Sequence, residues 1–127
     1  MWTGEGEAKI LYVQTHGVTD PGRSATPFFL AASAAAMEAE VMIYFTMYGP
    51  TLLRKDVIDE IGPKGERGQK LRYFIEQATA LGVQLLVCQP SLDLNDLAIE
   101  DLIDGVTMIG GAAFNDLAVE SDAVISF

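Results

Sequence analysis

The chain is poor in the residues from which most catalytic and metal centres are built. Among its 127 residues there is one cysteine, Cys88, one histidine, His16, and one tryptophan. A single cysteine closes no internal disulfide, in keeping with a reducing compartment. One Cys and one His fall short of the several soft ligands that transition metals draw on, so no metal site is expected. His16 is also the only histidine available as a base for Cys88, and nothing resembles a nucleophile elbow, which leaves a Cys-His hydrolase a weak reading. Where a dinucleotide fold would carry GxGxxG after its first strand, the chain reads Thr15-His16-Gly17-Val18-Thr19-Asp20-Pro21-Gly22, and no cofactor is expected.

Positive charge is scarce as well. Eight Lys and Arg stand against eighteen Asp and Glu, a formal net charge of -10, which argues against a nucleic-acid partner because phosphate binding rests on clustered cations. Six of the eight (Arg54, Lys55, Lys64, Arg67, Lys70, Arg72) crowd positions 54–72, and none follows. This patch reads either as a solvated loop and helix start or as a site for a small anion, with Arg54 and Arg67 as candidate contacts. No apolar run approaches the roughly 20 residues that cross a bilayer, so no membrane partner is expected. Residues 1–7 carry neither the basic region nor the apolar region of a secretory leader, from which a cytoplasmic location is expected. Asp93, Asp96, Glu100, Asp101 and Asp104 are spaced too irregularly for a calcium loop and read as helix caps and a solvated face.

What the chain does contain is a regular alternation of apolar strands and helices. Residues 9–14 (KILYVQ) have the continuous apolar centre of a strand buried on both faces. A helix is predicted over 24–37, capped by Ser24 with Pro27 in its first turn, and so rich in alanine that it suits burial against the sheet, a second subunit, or both. Residues 40–46 form a second strand closed by Tyr48-Gly49-Pro50, and 51–61 are weakly helical. The Gly- and charge-rich segment 62–68 matches no phosphate loop and reads as a linker. An amphipathic helix over 69–81 stops at Gly82 and leads into a third strand ending at Cys88. A short helix over 91–97, a strand over 106–109, a helix over 111–120 and a strand over 123–127 complete the series. The pattern predicts a single domain spanning 1–127, an α/β three-layer fold with a five-stranded, mostly parallel sheet of flavodoxin-like architecture.

Open parallel sheets bind ligands beyond the carboxyl ends of their strands, a rim formed here by residues 15–23, 47–54, 88–95 and 110–111. Cys88 lies on it, just before a Pro-started helical turn whose free N–H groups would favour a thiolate. A low-pKa thiolate can attack a sulfane sulfur or thiosulfate and hold the product without a separate base. Gln14, His16, Gln89 and Ser91 are candidate hydrogen-bonding groups around such an adduct, and Arg54, Lys55 or Arg67 would lower the thiol pKa if close. The alternatives are a structural cysteine in a non-catalytic assembly or small-anion-binding subunit, and a small-molecule enzyme on a flavodoxin-like scaffold, supported by fold analogy alone.

Several stretches resemble one known family. Thr15-His16-Gly17, Asp20-Pro21 and Thr26-Pro27-Phe28 after the first strand, Val87-Cys88-Gln89-Pro90-Ser91-Leu92-Asp93-Leu94, residues 100–106 and Gly110-Gly111-Ala112-Ala113-Phe114 are similar to the DsrE/DsrF-like proteins of sulfur trafficking, in the branch linked to sulfur-oxidising gene clusters. The resemblance spans nearly the whole chain. It implies a small α/β subunit that assembles into homotrimers or hexamers, with the sulfur-carrying cysteine at Cys88. It further implies covalent binding of sulfane sulfur or thiosulfate, as a carrier or sulfurtransferase, and exchange with TusA-like or rhodanese-like carriers. Unlike some relatives the chain has no second cysteine, so no intramolecular relay is available.

Overall fold

The computed structural model describes residues 7–127; the expectation about a leader falls mainly on residues 1–6, which lie outside the described residues. Five strands form one sheet: β1 (Lys9–Gln14), β2 (Glu40–Phe45), β3 (Gln84–Val87), β4 (Val106–Met108) and β5 (Ala123–Ser126). Their order is β4-β3-β2-β1-β5, and every pairing is parallel rather than mostly so. The chain therefore walks outward from β1 to β4 and then returns to the other side of β1. The direction changes between β1 and β5, whereas Cys88 follows β3, two strands away.

Side-chain alternation along each strand divides the core in two. Tyr12, Val41, Ile43, Phe45, Leu85 and Val87 face α1 (Thr26–Ala36) and α2 (Leu71–Ala80), meeting Phe28, Ala31, Leu71, Ile75 and Ala78. Leu11, Val13, Met42, Tyr44, Leu86 and Cys88 face the other way, toward Ile109 and toward Phe114, Leu117 and Ala118 of α4 (Gly111–Glu120). The short helix α3 (Gln89–Leu94) caps the carboxyl end of β3 and sends Leu92 into the first core.

Three elements differ clearly from their sequence-based outlines. The first helix starts at Thr26, because residues 21–23 form a tight 3-10 turn in which the fully buried Ser24 hydroxyl donates to the Pro21 carbonyl instead of capping a helix. The weakly helical 51–61 is a 3-10 turn over Gly49–Leu53 followed by irregular turns. Its backbone is tied to the far end of the chain, with Lys55 N–H donating to Asp101 O and Ile103 N–H to Leu53 O. The helix after Cys88 starts two residues early, at Gln89, and ends at Leu94, because Pro90 suits an opening turn whose N–H groups need no partner. Among the described residues, no helix is long and apolar enough to cross a membrane.

The carboxyl rim packs tightly at two of its glycines. A Cβ on Gly49 would run into the Gln14 carbonyl, and one on Gly17 into the Tyr48 carbonyl, both backbone atoms that cannot swing aside. Gly49→Ala is therefore expected to cost about 1–3 kcal/mol, read as a lower midpoint in thermal or urea unfolding.

Candidate functional site

Cys88 leaves β3 still extended (φ -112, ψ 148) and serves as the residue before α3. Retaining the strand's parity keeps its side chain on the α4 face beside Leu86, where it is only 8% exposed. Because Ser91 is the third residue of α3, one turn brings its side chain back over the sulfur. The thiol donates to Ser91 Oγ at 2.8 Å. Ser91, itself buried, accepts the Met47 N–H at 2.9 Å and lies 3.1 Å from Thr46 Oγ1, which is 3.7 Å from the sulfur.

Strand register explains why Tyr44 and Thr46 share this site. Phe45 pairs with Val87, so the residue after each strand, Thr46 and Cys88, meets at the same level, and Tyr44 lies one step back on the same face. The Tyr44 ring rests on Phe114 with centroids 4.3 Å apart, and its hydroxyl faces the sulfur. Burial pushes the Cys88 thiol up. Hydrogen bonds to its thiolate from the Ser91 hydroxyl, then Tyr44, the Ser91 N–H and Thr46 outweigh that and hold it below its ordinary value. Burial raises the Tyr44 phenol above its ordinary value, and the neighbouring sulfur raises it further, so Tyr44 remains a donor.

The sign of the thiol shift makes a stability prediction. A pKa lowered in the folded state contributes stability that is present above the ordinary thiol value and lost as pH falls through the folded one. Ser91→Ala removes the strongest donor, so the stability gap between wild type and variant should widen as pH rises toward the ordinary thiol range. Alkylation of the variant at neutral pH should also be about threefold to tenfold slower. Urea unfolding against pH and iodoacetamide kinetics check the two halves.

Of the residues singled out from sequence, the fold brings Ser91 to the thiol and leaves the others apart from it. Gln14 shares the parity of Tyr12 and points to the opposite face of the sheet. It is fully buried there, with Nε2 donating to His16 O at 3.0 Å and Arg23 O at 3.2 Å. His16 lies on the β1 rim with its ring nitrogens 3.4 Å from Thr15 Oγ1 and from an Arg23 guanidinium nitrogen. Gln89 is exposed and donates to Asp93 along α3. Arg54 is bound in two places to Asp56 at 2.6 and 3.0 Å, and Arg67 stands exposed in the turn after Ile61. Neither cation is among the groups that lower the thiol; hydroxyl and amide donors do that instead. The sequence reading gave no role to Tyr44, Thr46 or Asn95. The alternation Met42, Tyr44, Thr46 was the available signal for the first two, because it sets two hydroxyls on one strand face.

A cleft of about 580 Å³ opens between α2 and the β3–β4 edge beside Lys55, Arg72, Glu76 and Asp104. None of the thiol's partners line it, and Arg72 is engaged by Asp59 and Glu76. The hydroxyls of Ser91 and Thr46 lie elsewhere, around Cys88.

Comparison with known proteins supports this assignment of the fold. Residues 8–127 match the model of the DsrE/DsrF-like family. The sulfur carrier protein DsrE2 of Allochromatium vinosum is 29% identical over 157 residues, spanning 91% of this chain and 96% of that protein. The crystal structure of the YchN protein from E. coli superposes with a TM-score of 0.76 at 17% identity, over 96% of this chain and all of that one. The MTH1491 protein of Methanobacterium thermoautotrophicum gives 0.64 at 14%, with the same coverage. At these identities the two structures speak for the fold alone.

Proposed function

The chain belongs to the DsrE/DsrF-like family, and from that premise we propose that it is a sulfur carrier in which Cys88 takes up and releases sulfur covalently. The observation that carries the reading is the cup of donors around one thiol. Ser91, Tyr44 and Thr46 all favour the thiolate, the form that attacks sulfur. The similarity to a protein named as a sulfur carrier points the same way.

Uptake begins with the thiolate attacking a sulfane sulfur of a donor. The bond from that sulfur to its former neighbour breaks, and the electron pair leaves with the neighbour. Thiosulfate thus yields a persulfide on Cys88 and sulfite; tetrathionate yields a thiosulfonate adduct and thiosulfate. In release, an acceptor thiolate attacks the outer sulfur of the persulfide, and the pair of the breaking S–S bond returns to Cys88 Sγ. The donors that stabilise the resting thiolate stabilise it again as the leaving group, and a lower leaving-group pKa speeds departure. With no second cysteine in the chain, the acceptor is another molecule, for which TusA-like or rhodanese-like carriers are the proposed class.

The same reading takes the chain as one domain acting in the cytoplasm as a homotrimer or hexamer. Exposed apolar side chains, Phe29 on α1 and Val119 on α4 among them, support self-assembly. Burial of the thiol is also what a non-catalytic subunit with a structural cysteine would display; three donors turned toward the sulfur favour the carrier. Intact mass after incubation with polysulfide, thiosulfate or tetrathionate, with and without Cys88→Ser, decides between them.

A further inference from the structure

Met47, the residue after Thr46, has a φ of 54, left-handed backbone that an unbranched side chain adopts only when its surroundings hold it there. Both of its peptide groups are held from α3 and its end. Its N–H donates to Ser91 Oγ at 2.9 Å, and its carbonyl accepts from Asn95 Nδ2 at 2.8 Å. The same Asn95 nitrogen donates to Ser91 O at 2.6 Å, so its two protons staple the turn after β2 to α3.

This staple fixes what the Ser91 hydroxyl can do. Oγ has one proton and two lone pairs, and the Met47 N–H occupies one lone pair permanently. One lone pair and one proton remain for two neighbours, Thr46 Oγ1 and Cys88 Sγ. When the sulfur is a thiol, it donates to Ser91 and the Ser91 proton turns to Thr46. When the sulfur is a thiolate it can only accept, so Ser91 donates to it and Thr46 donates to Ser91. Freed from the Met47 N–H, the hydroxyl would have a spare lone pair and a wider choice of orientations, and its proton would be held on the sulfur less firmly.

We propose that Asn95 is a positioning residue of the thiol site: by clasping the Met47 carbonyl it keeps Met47 left-handed and its N–H on Ser91, which leaves the Ser91 proton for the sulfur. The inference rests on Cys88 being the reactive atom and assigns a role to a residue that touches neither Cys88 nor its cargo. Tyr44 of β2 is the titratable group facing the sulfur. From α3 the Asp93 carboxylate is exposed and bound by Gln89, and the segment after β4 and α4 pack the cluster around Cys88 with the apolar Ile109, Phe114, Leu117 and Ala118.

The test is the rate of iodoacetamide alkylation against pH, which needs a thiolate but no sulfur transfer. Asn95→Ala should slow alkylation at neutral pH by about threefold to tenfold, its profile moving up by roughly half a unit to one unit. Adding Met47→Gly, which adopts positive φ without strain and keeps the N–H, should restore most of the loss, while Met47→Gly alone stays near wild type. A purely structural Asn95 would lower the melting temperature and leave the profile in place, and that result overturns the proposal, as does a double variant no faster than Asn95→Ala. If alanine prevents folding, Asn95→Leu, closer in size, carries the same comparison. Absence of any sulfur adduct on wild type would instead sink the carrier reading and leave the alkylation result standing.

Discussion

Wild-type protein incubated with polysulfide is expected to gain sulfur on Cys88, and Cys88→Ser to gain none. The expected contrast is all or nothing, because Cys88 is the sole thiol in the chain and Ser at that position is too poor a nucleophile to replace it. Intact mass reads the addition of a sulfur atom from polysulfide or thiosulfate, and of a thiosulfonate group from tetrathionate. A reductant should return the original mass in each case. An adduct that persists in Cys88→Ser, or its absence from wild type at every pH up to the ordinary thiol range, removes the carrier proposal. Loading should also be steep in pH below the folded thiol's pKa, since the attacking form disappears there, and should flatten above it.

Phe45→Ala should be the most destabilising of the substitutions considered, at about 3–5 kcal/mol. The ring is fully buried on the α1–α2 face, with its centroid 5.6 Å from that of Phe28. Its strand is flanked on both sides, by β1 and β3, so the surroundings have little freedom to collapse into the cavity. Against a typical domain stability of about 5–15 kcal/mol, that loss lowers the melting temperature by roughly 10–20 °C. Phe45→Leu, which keeps most of the volume, should cost less than about 2 kcal/mol. Because Phe45 is the last residue of β2 and Thr46 follows it, a partly folded Phe45→Ala should also show slower alkylation of Cys88. Calorimetry and the alkylation profile test the two effects separately, and a loss under about 1 kcal/mol would contradict the packing argument.

The layered fold was legible because strand and helix periods differ so plainly along this chain, and each of the five strands begins within one residue of its sequence outline. Helix starts were less legible. Ser24 has the chemistry of a cap, but Pro21 and Gly22 draw it into a tight turn where its own hydroxyl is spent, a competition decided by backbone geometry. At the site, Cys88 and Ser91 could be paired from their spacing, since three residues across a helix start meet. Gln14 was misjudged for a physical reason. Strand ends share a rim, yet which sheet face each end presents depends on register, and the Phe45–Val87 pairing sends Cys88 one way while the Tyr12 parity sends Gln14 the other. Register also recruits Tyr44 and Thr46, forty-odd positions upstream. In the cationic segment, Arg54 is taken up by its neighbour Asp56 and Arg72 by Asp59, pairings that nearness in sequence alone did not single out.

The separation of 42 positions between Thr46 and Cys88 bears on how the protein is made. A chain leaving the ribosome exposes a thiol with ordinary acidity and few helpers; the groups that sharpen it are assembled only when β3 slots beside β2. Under the proposed function, the acidity that suits Cys88 to sulfur is a property of the finished molecule, completed by the same docking step that completes the sheet.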